Sequence, residues 1–174
     1  MNAPEFMRVE RLDTIGEEER SVAIAADQAE RAALATRFGL VSVDRLEATF
    51  AIRRTAAGIS ATGMVHGEVV QACGVTGDPL PARVEEPVAL LFVESSGTGE
   101  EVELNEGELD TIEIEGGGID LGEAAAETLA LALDPFPRSP RAAERLKEAG
   151  VLSEDEAGPF GALAGLKAKL EGKD

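Results

Sequence analysis

The chain has 174 residues, of which 44% are hydrophobic and 29% charged, and a formal net charge of −18. This length and composition fit a soluble globular domain rather than a disordered chain. The charge disfavours direct binding to nucleic acid, because proteins bind phosphate backbones through basic faces that release counterions. With six Phe and neither Trp nor Tyr, the core has to be built mainly from aliphatic side chains.

The chain carries no recognisable targeting segment. Its first residues contain acids and no apolar run, which does not fit a signal peptide. No stretch reaches the roughly 18 consecutive apolar residues of a membrane helix. Cys73 is the only cysteine, so neither an internal disulfide nor a cysteine-based metal cage can form within one chain. We therefore expect a cytoplasmic protein that makes no membrane contact.

Asp27 begins the first predicted helix. It is a favourable N-cap, and Glu30 can reach back to its amide to close a capping box. Apolar residues then share one face at i, i+4 spacing, and Gly39 supplies a left-handed stop. The pattern predicts a helix over 27–38.

The residues after this helix alternate in the manner of β-strands. Within 43–54 apolar residues occupy every second position from Leu46 to Ile52, and apolar residues share one face of 59–72, with a short turn at 55–58. We expect these two strands to pair as a long antiparallel hairpin. A further strand is predicted over 83–93, where Pro87 indicates a bulge or an edge position.

A polar, acidic stretch over 94–107 predicts a loop, and a short strand follows at about 109–114. Three glycines at 116–118 break that strand and do not form a phosphate cradle, because neither GxGxxG nor GK[ST] is present.

Two further helices are predicted from their start and stop signals. Asp120 and Glu123 repeat the capping-box pattern and begin a helix that runs to about Leu133, where an Asp-Pro-Phe-Pro run ends it. Ser139 is followed by a proline, which pairs an N-cap with proline at the first helical position and predicts a helix at about 140–149.

The end of the chain carries apolar residues at near-helical spacing, which predict a terminal helix that packs on the body or binds a partner: Phe160, Leu163, Leu166 and Leu170. We expect residues 1–138 to form an α+β core and 139–174 a helical C-terminal segment on the same domain. The expected fold is α+β, with a mostly antiparallel sheet or a partly closed β-barrel, flanking helices and a helical C-terminal region.

Few residues are candidates for chemistry. His66 is the only histidine, lies on the predicted solvent face of its strand and has no nucleophile motif beside it, so we interpret it as a surface histidine. Cys73 is a reactive thiol, a remnant metal ligand or a small buried hydrophobe. The last is favoured, because no cation flanks it to lower its pKa. Arg53 and Arg54 form too small a basic patch to bind a partner. We predict no catalytic, cofactor or metal site.

The negative charge is concentrated in the middle of the chain. Residues 84–137 contain 15 acidic residues and no basic one. Within them, a cluster of acids lacks the spacing of a calcium loop: Glu100, Glu101, Glu103, Glu106, Glu108 and Asp110. This cluster is either a solvated loop or a docking surface for a basic protein.

Several stretches follow one another in a characteristic order: 30–35 with 38–40, 43–48, 69–80, 84–88, and 119–123 with 129–131. Their order and spacing resemble the YceD family, the large ribosomal RNA subunit accumulation proteins, over roughly residues 5–170. The run LDPFPR at 133–138 looks most like the alphaproteobacterial branch. The resemblance implies a role in ribosome assembly and no particular biochemical activity.

One departure from that family concerns cysteine. Many members carry Cys-x-x-Cys where this chain has Cys73 to Thr76, and further cysteines beyond the late helix. Here Thr76 replaces the second cysteine, and none follows Asp134. If those cysteines hold zinc elsewhere, this chain has lost it, and we expect no stoichiometric zinc.

Charge and resemblance together predict a non-enzymatic accessory factor in large ribosomal subunit assembly that acts through protein–protein contact. Its partner would be a basic ribosomal protein or an assembly factor, with weak or no direct binding to nucleic acid. Two alternatives stay open. A direct rRNA-binding factor requires the arginines of the first half to converge on one face. An enzyme would have to be built from one His and one Cys.

Overall fold

The computed structural model describes residues 5–94, 110–114 and 116–151. Along these ranges the elements are β1 Val9–Arg11, a 3-10 turn Leu12–Thr14, β2 Arg20–Ala25, α1 Gln28–Phe38, β3 Ser42–Thr55, β4 Gly58–Ala72, β5 Pro79–Glu94, β6 Asp110–Ile114, β7 Gly118–Asp120, α2 Leu121–Ala132 and α3 Ala142–Glu148. The predicted loop 94–107 lies outside the described residues except for Glu94, and so does the predicted terminal helix.

Five strands form the main sheet, in the order β2-β3-β4-β5-β6, and β1 pairs with β7 in a separate two-stranded sheet. β3 runs antiparallel to both β2 and β4, whereas β6 runs parallel to β5. The predicted α+β fold with a mostly antiparallel sheet is confirmed. The alternative of a partly closed barrel is not supported, because β2 and β6 remain the two edges of the sheet in the described part of the chain.

The predicted hairpin is confirmed as β3 and β4, which pair in one register from Thr55↔Gly58 back along both strands to a bulge between Val43 and Arg45. The alternating apolar residues all face the core: Leu46, Ala48, Phe50, Ile52, Ile59, Ala61, Val65 and Val69. This is the expected result of a two-residue period on a sheet with one buried face.

The first helix forms as predicted, from its capping box to its glycine stop. The Asp27 carboxylate accepts from the Glu30 amide at 2.9 Å, and the Asp27 amide donates to the Glu30 carboxylate at 2.8 Å. Gly39 ends the helix with φ +65°, a left-handed conformation that glycine adopts without strain. Arg8 donates to Glu30 at 2.7 Å and so ties the N-terminal segment to the start of α1.

The capping box predicted for α2 is only half formed. Asp120 caps the helix by accepting from the amides of Gly122 at 2.9 Å and Glu123 at 3.2 Å. The Glu123 carboxylate does not return to the Asp120 amide, because it pairs with the Arg37 guanidinium of α1. A long-range ion pair has therefore replaced the local contact.

The predicted start of α3 is wrong. The helix begins at Ala142 after Arg141, and no side-chain hydrogen bond caps it. Ser139 is buried, and its hydroxyl lies 3.1 Å from that of Thr76. The Ser139 side chain is thus engaged far along the sequence rather than with its own helix.

The described residues divide into two compact units, one within 1–71 and 81–135 and the other within 72–80 and 136–151. The hydrophobic core of the first unit joins the inner face of the sheet to α1 and α2, with Phe6, Leu34 and Leu129 fully buried. The division at residue 138 drawn from the sequence stays a prediction. In the described ranges, no helix is both long enough and apolar enough to span a membrane.

Candidate partner-binding surface

An open groove of about 700 Å³ lies along the edge of the main sheet in the first unit, where β5 meets β6 and α2. We call it the acidic groove and define it by its lining residues: Glu86, Pro87, Val88, Ala89, Leu90, Asp110, Ile112, Ala124, Glu127, Thr128, Leu131 and Ala132.

The groove exists because β6 is shorter than its neighbour. β6 pairs only with Leu90–Glu94 of β5, so the preceding part of β5 has no partner strand on that side among the described residues. Pro87 lies in this stretch, and proline, which has no N–H for a ladder bond, is found in sheets mainly at such edge positions. Of the two predicted alternatives for Pro87, a bulge or an edge position, the second fits the described residues on the β6 side of β5.

The floor of the groove is apolar. Val88 and Leu90 are buried, whereas Ile112 is partly buried. Leu131 is 87% exposed, the highest value among the large hydrophobic residues of the described chain. It lies two positions after the buried Leu129, so a helix that buries one leucine turns the other toward solvent.

The rim is acidic. Glu86, Asp110 and Glu127 are exposed, and none of them takes part in the ion pairs found among the described residues. Residues 84–137 contain no Lys or Arg that could neutralise them from a neighbouring position in the sequence. In the described part of the chain, the rim therefore presents carboxylates without an ion-pair partner beside an apolar floor.

Of the six acids predicted as a partner-binding cluster, Asp110 is the one that lies in the described part of the chain, and it lines the groove. Glu100, Glu101, Glu103, Glu106 and Glu108 lie outside the described residues. Glu108 precedes Asp110 by two positions, so the cluster is continuous in sequence with the groove rim.

The arginines of the first half do not form a free basic face. Several are bound to carboxylates: Arg8 to Glu30, Arg11 to Asp13, Arg20 to Glu10, Arg37 to Glu5 and Glu123, and Arg45 to Glu47. Arg31 and Arg54 donate instead to backbone carbonyls. Guanidinium groups that already hold a carboxylate have little charge to offer a phosphate.

His66 lies on the outer face of β4, as predicted. Its side chain is 45% exposed, and its Nδ1 is 4.0 Å from the Glu85 carboxylate. This is the arrangement of a surface histidine.

The second unit contains a compact hydrogen-bonded cluster around Cys73. The buried Cys73 sulfur accepts from the amides of Ser139 at 3.2 Å and Thr76 at 3.4 Å. The Thr76 hydroxyl donates to Asp78 at 2.7 Å, and Arg141 holds the same carboxylate at 2.6 Å. No buried side-chain nitrogen or oxygen of the described residues lacks a hydrogen-bond partner.

These donors change the acidity of Cys73. The Thr76 side chain and the amides of Ser139, Thr76 and Val75 lower the pKa of the Cys73 thiol from its ordinary 9.0 to about 6, against the opposing effect of burial. The premise drawn from the sequence, that a lowered pKa would need a flanking cation, is therefore wrong. The Thr76 side chain and the amides that converge on the sulfur after folding stabilise the thiolate instead. Cys73 is nevertheless buried, as predicted.

This acidity predicts a pH-dependent contribution to stability. Because the folded-state pKa lies below the unfolded value, the contribution is complete above about pH 9 and is lost as pH falls through about 6. The difference in unfolding free energy between the wild type and Cys73→Ser should therefore be larger at pH 9 than at pH 6. Hydrogen bonds from Thr76 lower the pKa of Asp78, so that carboxylate stays charged throughout.

Thiolate absorbance at 240 nm provides the direct measurement, since this chain has one cysteine. The native protein should titrate with a midpoint near pH 6 and the urea-unfolded protein near pH 9. Equal midpoints in the two states would contradict the account.

Within the described residues, no group of three His, Cys, Asp or Glu side chains is arranged to hold a metal ion. The expected absence of zinc stays a prediction.

The fold and these two sites define an α+β protein with an acidic groove on one unit and a closed polar cluster on the other. A family model described as "Large ribosomal RNA subunit accumulation protein YceD" matches residues 61–167, more than half of the chain. The chain belongs to the YceD family, and that family has a role in accumulation of large-subunit ribosomal RNA. Its placement in the alphaproteobacterial branch stays a prediction. No curated protein and no solved structure matches this chain.

Sequence reasoning missed the groove and its residues Glu86, Glu127 and Leu131. One signal was available: Leu131 is out of phase with Leu129 in an otherwise small-residue helix, which predicts an exposed leucine. No sequence pattern predicts the parallel pairing of β6 with β5, because this pairing depends on the path of the chain between the two strands.

Proposed function

We propose that this protein is a non-enzymatic accessory factor in large ribosomal subunit assembly. It binds a basic partner, a large-subunit ribosomal protein or an assembly factor, through the acidic surface of residues 84–137. It works in the cytoplasm, where ribosomes are assembled.

The observation that carries this proposal is the segregation of charge. Fifteen acids and no Lys or Arg occur between residues 84 and 137, and the rim acids of the groove have no ion-pair partner among the described residues. A surface with one sign of charge raises the rate of encounter with a surface of opposite sign, and the effect fades as salt rises.

The pairing of the arginines supports protein rather than RNA as the partner. Direct RNA binding would require the arginines of the first half to converge on one face. Arg8, Arg20 and Arg37 are instead each bound by carboxylates. To bind phosphate, these residues would first have to break charge-assisted hydrogen bonds.

The enzyme alternative has little support from the described residues. His66 is half-exposed beside Glu85, and no other base was predicted. The Cys73 sulfur is buried among the Thr76 side chain and backbone amides, and no described histidine lies beside it to act as a base.

The test removes four charges from the acidic segment. Replacement of Glu100, Glu101, Glu103 and Glu106 by glutamine should slow association with a basic ribosomal protein by roughly tenfold at low salt, because long-range attraction sets the encounter rate. The free energy of unfolding should change little. Stopped-flow association with individually purified large-subunit ribosomal proteins measures the effect.

A matched control removes four charges elsewhere. Glu17, Glu18 and Glu19 changed to glutamine, with Asp44→Asn, alter the net charge equally at exposed positions far in sequence from the acidic segment. This control should associate almost as fast as the wild type. Equal rates for both quadruple variants and the wild type would mean that the acids serve only to keep the protein in solution.

A further inference from the structure

The acidic groove has the dimensions of a site for side chains rather than for a folded surface. Its volume of about 700 Å³ is within the range of cavities that hold small ligands, about 300–1,000 Å³. It is open along the sheet edge, so a chain can lie in it without threading.

Its chemistry has two parts with different preferences. The floor offers Val88, Leu90, Ile112 and Leu131, and Leu131 in particular exposes apolar surface that water covers poorly. The rim offers the carboxylates of Glu86, Asp110 and Glu127, which have no ion-pair partner among the described residues. An occupant that satisfies both parts carries apolar side chains interspersed with positive charge.

Net charge does not favour the chain's own remaining segments as occupants. Residues 95–109 carry five acids and no base. Residues 152–174 carry five acids and three bases, although Lys167 and Lys169 there alternate with apolar residues. A second copy of the chain brings a further net charge of −18. A Lys- or Arg-rich chain of a partner is attracted to a carboxylate rim more strongly than any of these.

Pro87 indicates how the occupant is held. It lies in the stretch of β5 that β6 leaves unpaired among the described residues, and proline in such a stretch is a common protection against the addition of a strand. Contacts between side chains, rather than strand addition, would supply the affinity.

We propose that the acidic groove is the docking site for a basic, leucine-containing segment of the partner protein. Its apolar side chains pack on Val88, Ile112 and Leu131, and its cations pair with Glu86, Asp110 and Glu127. This inference rests on the proposed function and adds to it the place and the recognised chemistry.

The probe is a short fluorescent peptide in which lysine and leucine alternate, titrated with the full chain at low salt. Two further peptides replace either every leucine by serine or every lysine by glutamate. Fluorescence anisotropy should show binding of the first peptide, at least about tenfold weaker binding of the serine peptide, and none of the glutamate peptide.

Protein variants locate the site. Glu86→Gln with Glu127→Gln should weaken binding of the lysine–leucine peptide by roughly threefold to thirtyfold at low salt, since each exposed ion pair contributes modestly. Leu131→Ser should weaken it by about tenfold. Because these three side chains are exposed, neither variant should impair folding.

Matched controls separate the groove from general acidity. Glu17→Gln with Glu18→Gln removes two exposed charges, and Val41→Ser removes an apolar side chain that is 57% exposed, both away from the groove lining. Both should bind the peptide as the wild type does.

The groove is overturned if its variants bind as tightly as the wild type, if the control variants lose as much affinity, or if the serine peptide binds equally well. The groove can fail while the proposed function stands. If the groove variants bind as the wild type does while the Glu100–Glu106 quadruple variant still slows association, the acidic segment binds the partner and the groove does not. The converse result assigns the contact to the groove alone.

Discussion

Replacement of Gly63 by alanine is expected to lower the free energy of unfolding by about 3 kcal/mol. Gly63 lies in β4 opposite the fully buried Phe50 of β3. A Cβ at this position would lie 1.9 Å from the Thr49 carbonyl oxygen and 3.0 Å from the Phe50 Cα. Both are backbone atoms, so the central hairpin of the sheet has to move to admit one methyl group.

Two other glycines provide graded controls for this substitution. A Cβ at Gly67, four residues along the same strand, would lie 2.4 Å from Leu129 Cδ1, the end of a side chain that can turn. Gly67→Ala should therefore cost less than Gly63→Ala. At Gly16 nothing lies within 4 Å, and Gly16→Ala should change stability by no more than about 0.5 kcal/mol.

Urea unfolding of the three variants, monitored by circular dichroism, tests this order of stability losses. A Gly63→Ala protein as stable as Gly16→Ala would contradict the close approach of β3 and β4 at this point.

The hairpin of β3 and β4 could be predicted from sequence because its cause is local. Every second residue from Leu46 to Ile52 is apolar, and burial of one face fixes both the strand and its orientation. The same holds for α1, where Asp27 and Glu30 satisfy each other within one turn. β2 was missed although Val22 and Ile24 alternate with smaller residues, because six residues between charged segments make a weak signal.

The predicted caps of α2 and α3 failed because the capping side chains bind residues that are distant in the sequence. Glu123 pairs with Arg37 and not with its own N-cap, and Ser139 joins Thr76 and not α3. The acidity of Cys73 has the same origin, because the Ser139 amide reaches it across 66 positions of sequence. Patterns of spacing within one element cannot predict contacts between residues that are far apart in the sequence.

The charge of the candidate surface could be predicted from the sequence, but the groove could not. The sequence alone indicates that residues 84–137 are uniformly acidic. The groove also requires that β6 begin opposite Leu90 and leave the earlier part of β5 uncovered. Register of this kind is set by tertiary packing, and the alternation within each strand does not reveal it.

We also expect a large difference between the affinity of this protein for RNA and its affinity for a basic protein. At physiological salt, proteins without sequence preference bind nucleic acid with dissociation constants of roughly 10⁻⁴ to 10⁻⁶ M, through cations that release counterions from phosphate. This chain carries a net charge of −18, and most arginines of its first half are already held by carboxylates or backbone carbonyls. We expect its affinity for naked large-subunit RNA to be weaker than that range, and its affinity for a basic partner protein to be at least about a hundredfold stronger.

The most direct measurement compares the two partners under one condition. The purified wild-type protein is titrated at physiological salt with naked large-subunit ribosomal RNA and, separately, with individually purified basic ribosomal proteins of the large subunit. We expect saturable binding to at least one of these proteins, weakened by added salt, and no saturable binding to the RNA. Tight binding to the RNA, with none of the basic proteins bound, would contradict it.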